Sequence, residues 1–216
     1  TVFGDTDDYI ERFFDTFYSP ELCAVCKCGG KTAAAAYLMP VGDFVSAIGE
    51  RVSCAHIYAV GVLPEYRGIG LGKAVTEKCA RLGEKNGFGA VVLHPAEEGL
   101  FRFYEALGFY SAFSCGERTA IGAGERFLIN PEEYRALREE YLEGIPHIDL
   151  NMRALRYFEG QGGEFYRGEN FCLAMEDGSV KECLYPGFSA PENGRPFGMS
   201  YGKKICTDGW LGLAFD

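Results

Sequence analysis

Val60-Gly61-Val62-Leu63-Pro64-Glu65-Tyr66-Arg67-Gly68-Ile69-Gly70-Leu71-Gly72 is the stretch on which the reading of this chain turns. It closes an apolar run, Ser53–Val62, that predicts a strand, and Pro64 breaks that strand. It opens a helix expected at about Gly70–Asn86. There Leu71, Ala74, Val75, Cys79 and Leu82 recur at helical spacing, while Lys78, Arg81, Glu84 and Lys85 fall on the other face. A glycine-rich turn between strand and helix gathers unpaired backbone N–H groups at the positive end of a helix dipole. Its glycines also let a pyrophosphate come close. Arg67 adds a charge for phosphates. The string alone is weak, and a tight turn without a ligand is its plain alternative. A dinucleotide fingerprint is excluded. The glycines run Gly68, Gly70, Gly72, and no short strand ending in an acid follows about twenty positions on.

Working outward, Asp5 or Thr6 can cap a helix that carries Tyr9, Ile10, Phe13, Phe14 and Phe17 on one face and stops at Pro20. Leu22–Cys28 and Lys31–Met39 are apolar runs joined by Gly29-Gly30, a two-residue hairpin signal. Beyond the central helix, Ala90–Leu93 reads as a short buried strand, Leu100–Leu107 as a helix and Phe109–Cys115 as a strand. The order is helix, three strands, helix, strand, helix, strand. Because the chain begins at Thr1 and enters a helix almost at once, a leading strand is expected to precede it.

Past residue 115 the texture changes. A polar stretch at 116–124 reads as a connector. Asn130-Pro131-Glu132-Glu133 then combines an N-cap, a first-turn proline and a capping-box glutamate ahead of a helix burying Tyr134, Leu137, Tyr141 and Leu142. A second helix is expected at Leu150–Glu159. Strands are expected at Glu164–Arg167, Phe171–Met175, Val180–Tyr185 and Trp210–Phe215, and a loop at Ser189–Gly198. Two units follow from this: 1–115 and 116–216.

The 216 residues carry a net charge of −10. That balance argues against nucleic acid as a partner and mildly favours cationic substrates, while also serving solubility. No signal peptide and no apolar run near the length of a membrane helix is visible, so a cytoplasmic protein without membrane attachment is expected. Nine cysteines, an odd number, read as free thiols of a reducing compartment. Cys23, Cys26 and Cys28 resemble a metal cluster, but on a strand Cys23 faces away from the other two. No second ligand pair follows, and His56, His94 and His147 are isolated. No metal is expected.

Two stretches together carry a resemblance. Val60–Gly72 looks like the acetyl-CoA signature of the GNAT acetyltransferase superfamily. Phe101-Arg102-Phe103-Tyr104-Glu105-Ala106-Leu107-Gly108-Phe109 looks like its second motif, Y-E-x-L-G-F. They stand in the family's order, one strand apart, and the likeness covers roughly residues 1–115. It implies an α/β (α+β) fold, a mixed central sheet flanked by helices, followed by a smaller α+β unit. That second unit resembles a degenerate copy of the first by element order, and it could wall an acceptor site or form a homodimer.

By the same resemblance, Val60, Gly61 and Val62 would lend backbone groups to the pantetheine arm. The Val62 amide would polarise the thioester carbonyl. Arg67, Gly68, Ile69, Gly70, Leu71, Gly72 and Lys73 would hold the pyrophosphate. Tyr104 would be the general acid toward the departing thiolate. Glu97 stands where family members often place an asparagine. The implied activity is direct acetyl transfer from acetyl-CoA to a primary amine of a small molecule or peptide. The alternative is a coenzyme A-binding or interaction module without turnover. Glu65, His94 and Glu97 lie near the motif as bases, and nothing in the sequence favours one over solvated surface.

Overall fold

The computed structural model describes residues 3–115, 125–190 and 194–213. Thr6 caps α1 (Asp7–Phe17), its hydroxyl accepting from the Tyr9 N–H at 3.3 Å, with Asp7 and Asp8 in the first turn. β1 (Cys23–Cys28) and β2 (Lys31–Val45) form the expected hairpin. Gly29 and Gly30 take φ of 55° and 81°, the left-handed pair such a turn requires. β3 (Arg51–Val62) runs antiparallel to β2. α2 (Leu71–Lys85), β4 (Ala90–Leu93), α3 (Gly99–Glu105) and β5 (Phe109–Cys115) follow in the predicted order. β2 continues past Met39, where its end was expected. Pro40 has no N–H for the ladder and falls where the register slips, and beyond that slip Gly42–Val45 pair on their other edge with β7 (His147–Leu150).

In the second half Asn130 caps α4 (Pro131–Tyr141), accepting from the Glu133 N–H at 2.8 Å, as the sequence predicts. After β7 come α5 (Met152–Gly160), β8 (Glu164–Arg167), β9 (Cys172–Glu176) and β10 (Ser179–Leu184). Three strands were not anticipated: β6 (Phe127–Ile129), β7, and β11 (Arg195–Tyr201), which begins within the stretch read as a loop. β11 hides behind two breakers, Pro196 and Gly198, and its pairing with β5 slips at both. Gly198 is needed for packing, since a Cβ there would stand 2.8 Å from Leu211 Cδ2 and 3.1 Å from Phe113 Cδ2. At the strand expected from Trp210, the described residues show only an isolated bridge from Trp210 to His147. The connector at 116–124 and residues 214–216 lie outside the described residues.

The large sheet has seven strands in the order β1-β2-β3-β4-β11-β5, with β7 on the edge of β2. It is mixed: β3 and β4 are parallel, while β11 lies antiparallel between β4 and β5. A second sheet of four strands runs β10-β9-β8-β6. α2 covers one face of the large sheet, over Ala24, Leu38, Ile57 and Val91. Gly83 lets it come close, because a Cβ there would reach 2.5 Å from Val91 Cγ2. The other face carries α1 and the second half, in one cluster running from Phe13 and Met39 through Tyr134 and Leu155 to Trp210. The stretches on either side of residue 115 therefore share a sheet and a core. Each additional buried side chain in such a cluster stabilises by about 1.5–3 kcal/mol.

Two ion-pair groups pin the second half. Asp149 on β7, 3% exposed, accepts from Arg135 at 2.9 and 2.7 Å and pairs with Arg51. Arg138 of α4 is fully buried and binds the buried Glu182 of β10 at 2.9 Å, and Trp210 Nε1 donates to the same carboxylate at 2.5 Å. Among the described residues no helix is long and apolar enough to cross a membrane, and no group of His, Cys, Asp and Glu could hold a metal ion.

Candidate active site

β3 and β4 pair only from Cys54–His56 to Ala90–Val92. β3 then runs on to Val62 while β4 stops at Leu93, so the two strands part and the β3 edge from Ile57 onward faces a cleft. A bulge sharpens the parting. Between Tyr37–Tyr58 and Ala35–Gly61 the register slips, and Ala59 takes φ of 51°, a left-handed value that a residue with a Cβ adopts at a cost. Val60, Gly61 and Val62 lie just past it. On its other edge β3 stays held, with Gly61 opposite Ala35 and Val62 opposite Ala34.

The loop after β3 leads straight into α2. Gly68 and Gly70 have φ of 80° and 86°, and a Cβ on either would meet nothing within 4 Å. Their side is therefore open as well as left-handed. Gly70 is the N-cap and offers no side chain to the first-turn amides, and no acidic residue stands in that turn. The amides of Leu71, Gly72 and Lys73 thus point out of the helix toward an exposed loop. Arg67 Nε donates to the Val62 carbonyl at 3.1 Å. Gly72 lies against β3 and α3, since a Cβ there would be 3.7 Å from Val62 Cγ2 and 3.9 Å from Phe103 Cζ.

A cavity of about 480 Å³ opens at the parting of the strands. One end is lined by Val60, Gly61, Leu93, Leu100 and Tyr104, the other by Tyr9, Phe13, Phe14, Tyr37 and Tyr58. Tyr104, on α3, is 7% exposed, packs edge-on against Phe103 and Phe109, and has its pKa raised by burial. It is a neutral phenol at physiological pH. Of the residues singled out in the sequence, Val60, Gly61 and Tyr104 meet on this wall. Val62 and Arg67–Lys73 continue from it along the strand end and loop, outside the cavity. Glu65 and Glu97 are exposed and away from the wall, whereas His94 is half-buried and lines it.

His56 was not singled out for this wall. It stands on β3 two residues before Tyr58, hence on the same face, and pairs with Val92 of β4, two residues before His94, which follows the strand's end. Strand alternation through Cys54, His56 and Tyr58 carries that signal, but only once the strand pairing is known. Burial first, then the neighbouring His94, lowers the His56 pKa to about 3. His94 Nδ1 lies 2.6 Å from the Phe197 carbonyl of β11, and its ring packs 4.2 Å from that of Phe197. A carbonyl only accepts, so Nδ1 carries the hydrogen and Nε2 is the basic nitrogen. On the aromatic side Tyr58 donates to the Tyr9 hydroxyl at 3.0 Å and stacks on Phe13 at 4.9 Å, and burial raises both phenols. Tyr157 of α5 braces Tyr9 and Phe13 edge-on from behind.

Residues 2–109, half of the chain, match the family model described as "Acetyltransferase (GNAT) family". Among solved structures, a GCN5-related N-acetyltransferase from Kribbella flavida shares 18% identity at a TM-score of 0.53, over 83% of this chain and 55% of that one. A GCN5-related N-acetyltransferase from Anabaena variabilis shares 19% at 0.58, over 85% and 52%. A Pyrococcus horikoshii protein shares 13% at 0.63, over 94% and 83%. At these identities the likeness is one of fold. The chain spans about half the length of the first two. A comparison with curated proteins returns no match.

Proposed function

Because the chain belongs to the acetyltransferase (GNAT) family, we propose that it transfers an acetyl group from acetyl-CoA to a primary amine within the cleft between β3 and β4. One observation carries this reading. The unpaired β3 edge past the Ala59 bulge runs from the cavity wall at Val60 and Gly61 straight to the bare N-terminus of α2. That is a continuous track of backbone donors and acceptors with a phosphate-binding end. A pantetheine arm laid on such an edge is held as an added strand would be.

In this reading the amides of Leu71, Gly72 and Lys73, with the open turn at Gly68 and Gly70 and the charge of Arg67, hold the diphosphate. The track fits that group because the positive-φ glycines leave their outer side clear. When bound, the co-substrate supplies an activated acetyl thioester. The Val62 amide orients and polarises its carbonyl. The amine attacks as the neutral base, so a proton must be accepted on the acceptor side. There His94, with Nε2 as its basic nitrogen, is better placed than His56, which burial keeps uncharged. Tyr104 gives a hydrogen bond to the leaving sulfur. Full proton donation would run uphill, since a free thiol sits near 8.5, a free phenol near 10, and burial raises Tyr104 further.

Elements of the second half brace the acceptor side, through Tyr157 behind Tyr9 and Phe197 behind His94. The described elements there run strand, helix, strand, helix and four strands. Two helices ahead of several strands is the order that suggests a degenerate second copy of the fold, although β7 and β11 join the large sheet. The test is calorimetry with acetyl-CoA, followed by thiol release across a panel of amines. Gly70→Glu should abolish acetyl-CoA binding in a protein that still folds, because it places a carboxylate at the anion-binding turn. Unchanged affinity refutes the loop assignment. Tight binding with no thiol released for any amine returns the chain to a coenzyme A-binding module.

A further inference from the structure

The acceptor end of the cavity has a chemistry of its own, and its reading rests on the transfer proposed above. Tyr9, Ile10, Phe13 and Phe14 reach it from α1, Tyr37 from β2 and Tyr58 from β3. Phe14 and Phe3, 40% and 57% exposed, stand at its outer rim. Among the described residues, no lysine or arginine lines it, and Asp5 is its one carboxylate. Asp5 stands immediately before the Thr6 cap, at the end of α1 that presents Tyr9. Burial keeps His56 uncharged, so apart from His94, the group proposed to take up the amine's proton, the wall bears no positive charge.

We infer that the acceptor is a monoamine carried on an aromatic or similarly flat apolar body. The aromatic walls match such a body in shape and hydrophobicity. Their π-faces, with the Asp5 carboxylate and the chain's charge of −10, attract it as the ammonium before it loses its proton. An amine that also bears a phosphate or carboxylate finds no counter-charge on this wall and meets Asp5. A polyamine finds a single carboxylate for several charges, and its remaining ammonium groups would be stripped of water against aromatic carbon at a cost. The volume agrees, because a cavity of about 480 Å³ must hold the acyl end of the co-substrate as well as the acceptor. That leaves room for a small amine and not for an oligosaccharide-sized one.

The experiment measures initial rates of thiol release at fixed acetyl-CoA with 2-phenylethylamine, n-propylamine, spermidine and phosphoethanolamine, with acetyl-CoA affinity followed by calorimetry. kcat/KM for 2-phenylethylamine should exceed each of the others by about tenfold or more, the discrimination a well-fitted apolar pocket provides. Ile10→Lys places a cation on the wall and should lower that value by about tenfold while leaving acetyl-CoA affinity unchanged. Phe14→Ala, at an exposed position, should raise KM for 2-phenylethylamine several-fold, and it reads the same wall if lysine at position 10 prevents folding. Acetyl-CoA binding with spermidine, n-propylamine or phosphoethanolamine equal or preferred overturns the acceptor class and leaves the transfer reading standing. Failure to bind acetyl-CoA, or binding without acetylation of any amine, overturns the transfer reading, and the acceptor class falls with it.

Discussion

Arg67 Nε donates to the carbonyl oxygen of Val62 at 3.1 Å, tying the cation of the loop to the last residue of the strand it follows. The bond costs the strand nothing, because Val62 ends β3 and Leu63 already returns to β2 by donating to the Ala33 carbonyl at 3.0 Å. It fixes the guanidinium at the point where the unpaired strand edge meets the α2 N-terminus. Arg67→Ala should therefore weaken acetyl-CoA binding by about tenfold, the loss of one exposed charge-assisted contact. Arg67→Lys should recover only part of it, since an ammonium cannot hold the carbonyl and present a planar fork together. Calorimetry reads both, and an alanine variant with native affinity would detach Arg67 from the phosphates.

Tyr104 gives a second prediction. Burial raises its pKa, so it stays protonated throughout the working range and cannot be the group whose ionisation shapes the alkaline limb. Tyr104→Phe should lower kcat by about three- to tenfold at pH 7, the worth of one hydrogen bond to a developing thiolate. Because the phenol stays protonated, the deficit should be the same from about pH 7 to about pH 9. A deficit that widens with pH would mean the phenol does transfer its proton.

How much of this was legible beforehand depended on the distance over which the residues act. Gly68 and Gly70 are read from local sequence because the left-handed backbone they supply is a local demand. Asn130 and Pro131 announced α4 for the same reason. β11 was hidden because Pro196 and Gly198 argue locally against a strand. Its existence is decided by β4 and β5, which open a slot between them, and by Leu211 and Phe113, which tolerate only glycine at 198. His56 and His94 belong to one wall because β3 pairs with β4 at His56–Val92, a register fixed by tertiary packing rather than by either segment. The strand end, glycine turn and helix start of Val60–Lys73 were thus readable as a motif. The acceptor wall, assembled from α1, β2, β3 and β4, was not.

The buried pair of Arg138 and Glu182 yields a stability prediction. Glu182 accepts from Arg138, Trp210 and Tyr134 together, and Arg138 also donates to the Ile148 carbonyl at 2.7 Å, so the pair joins α4, β7, β10 and the Trp210 segment. Removing one partner strands the other charge in the core. Glu182→Leu should destabilise by about 3–5 kcal/mol, and Arg138→Met combined with Glu182→Leu by clearly less than Glu182→Leu alone. Urea melts of the single and double variants measure this. A double variant weaker than the single one would show that the network acts through Tyr134 and Trp210 rather than through the ion pair.

His56 makes stability depend on pH in a defined window. In the unfolded chain an imidazole titrates near 6.5, whereas burial, then the neighbouring His94, holds folded His56 down to about 3. Above pH 6.5 the residue is neutral in both states and contributes no slope. As pH falls below 6.5 the unfolded chain takes up a proton that the folded chain refuses, so stability declines by about 1.4 kcal/mol per pH unit until the folded value is reached. Between pH 6.5 and pH 5 this amounts to about 2 kcal/mol. His56→Gln removes the titrating group and should flatten that part of the profile, whatever it does to stability at pH 7. Because surface carboxylates titrate alike in both proteins, the difference between the two profiles isolates the imidazole. Equal slopes between pH 6.5 and pH 5 would mean that folded His56 takes its proton as readily as the unfolded chain does. It would then bring a positive charge to the acceptor wall.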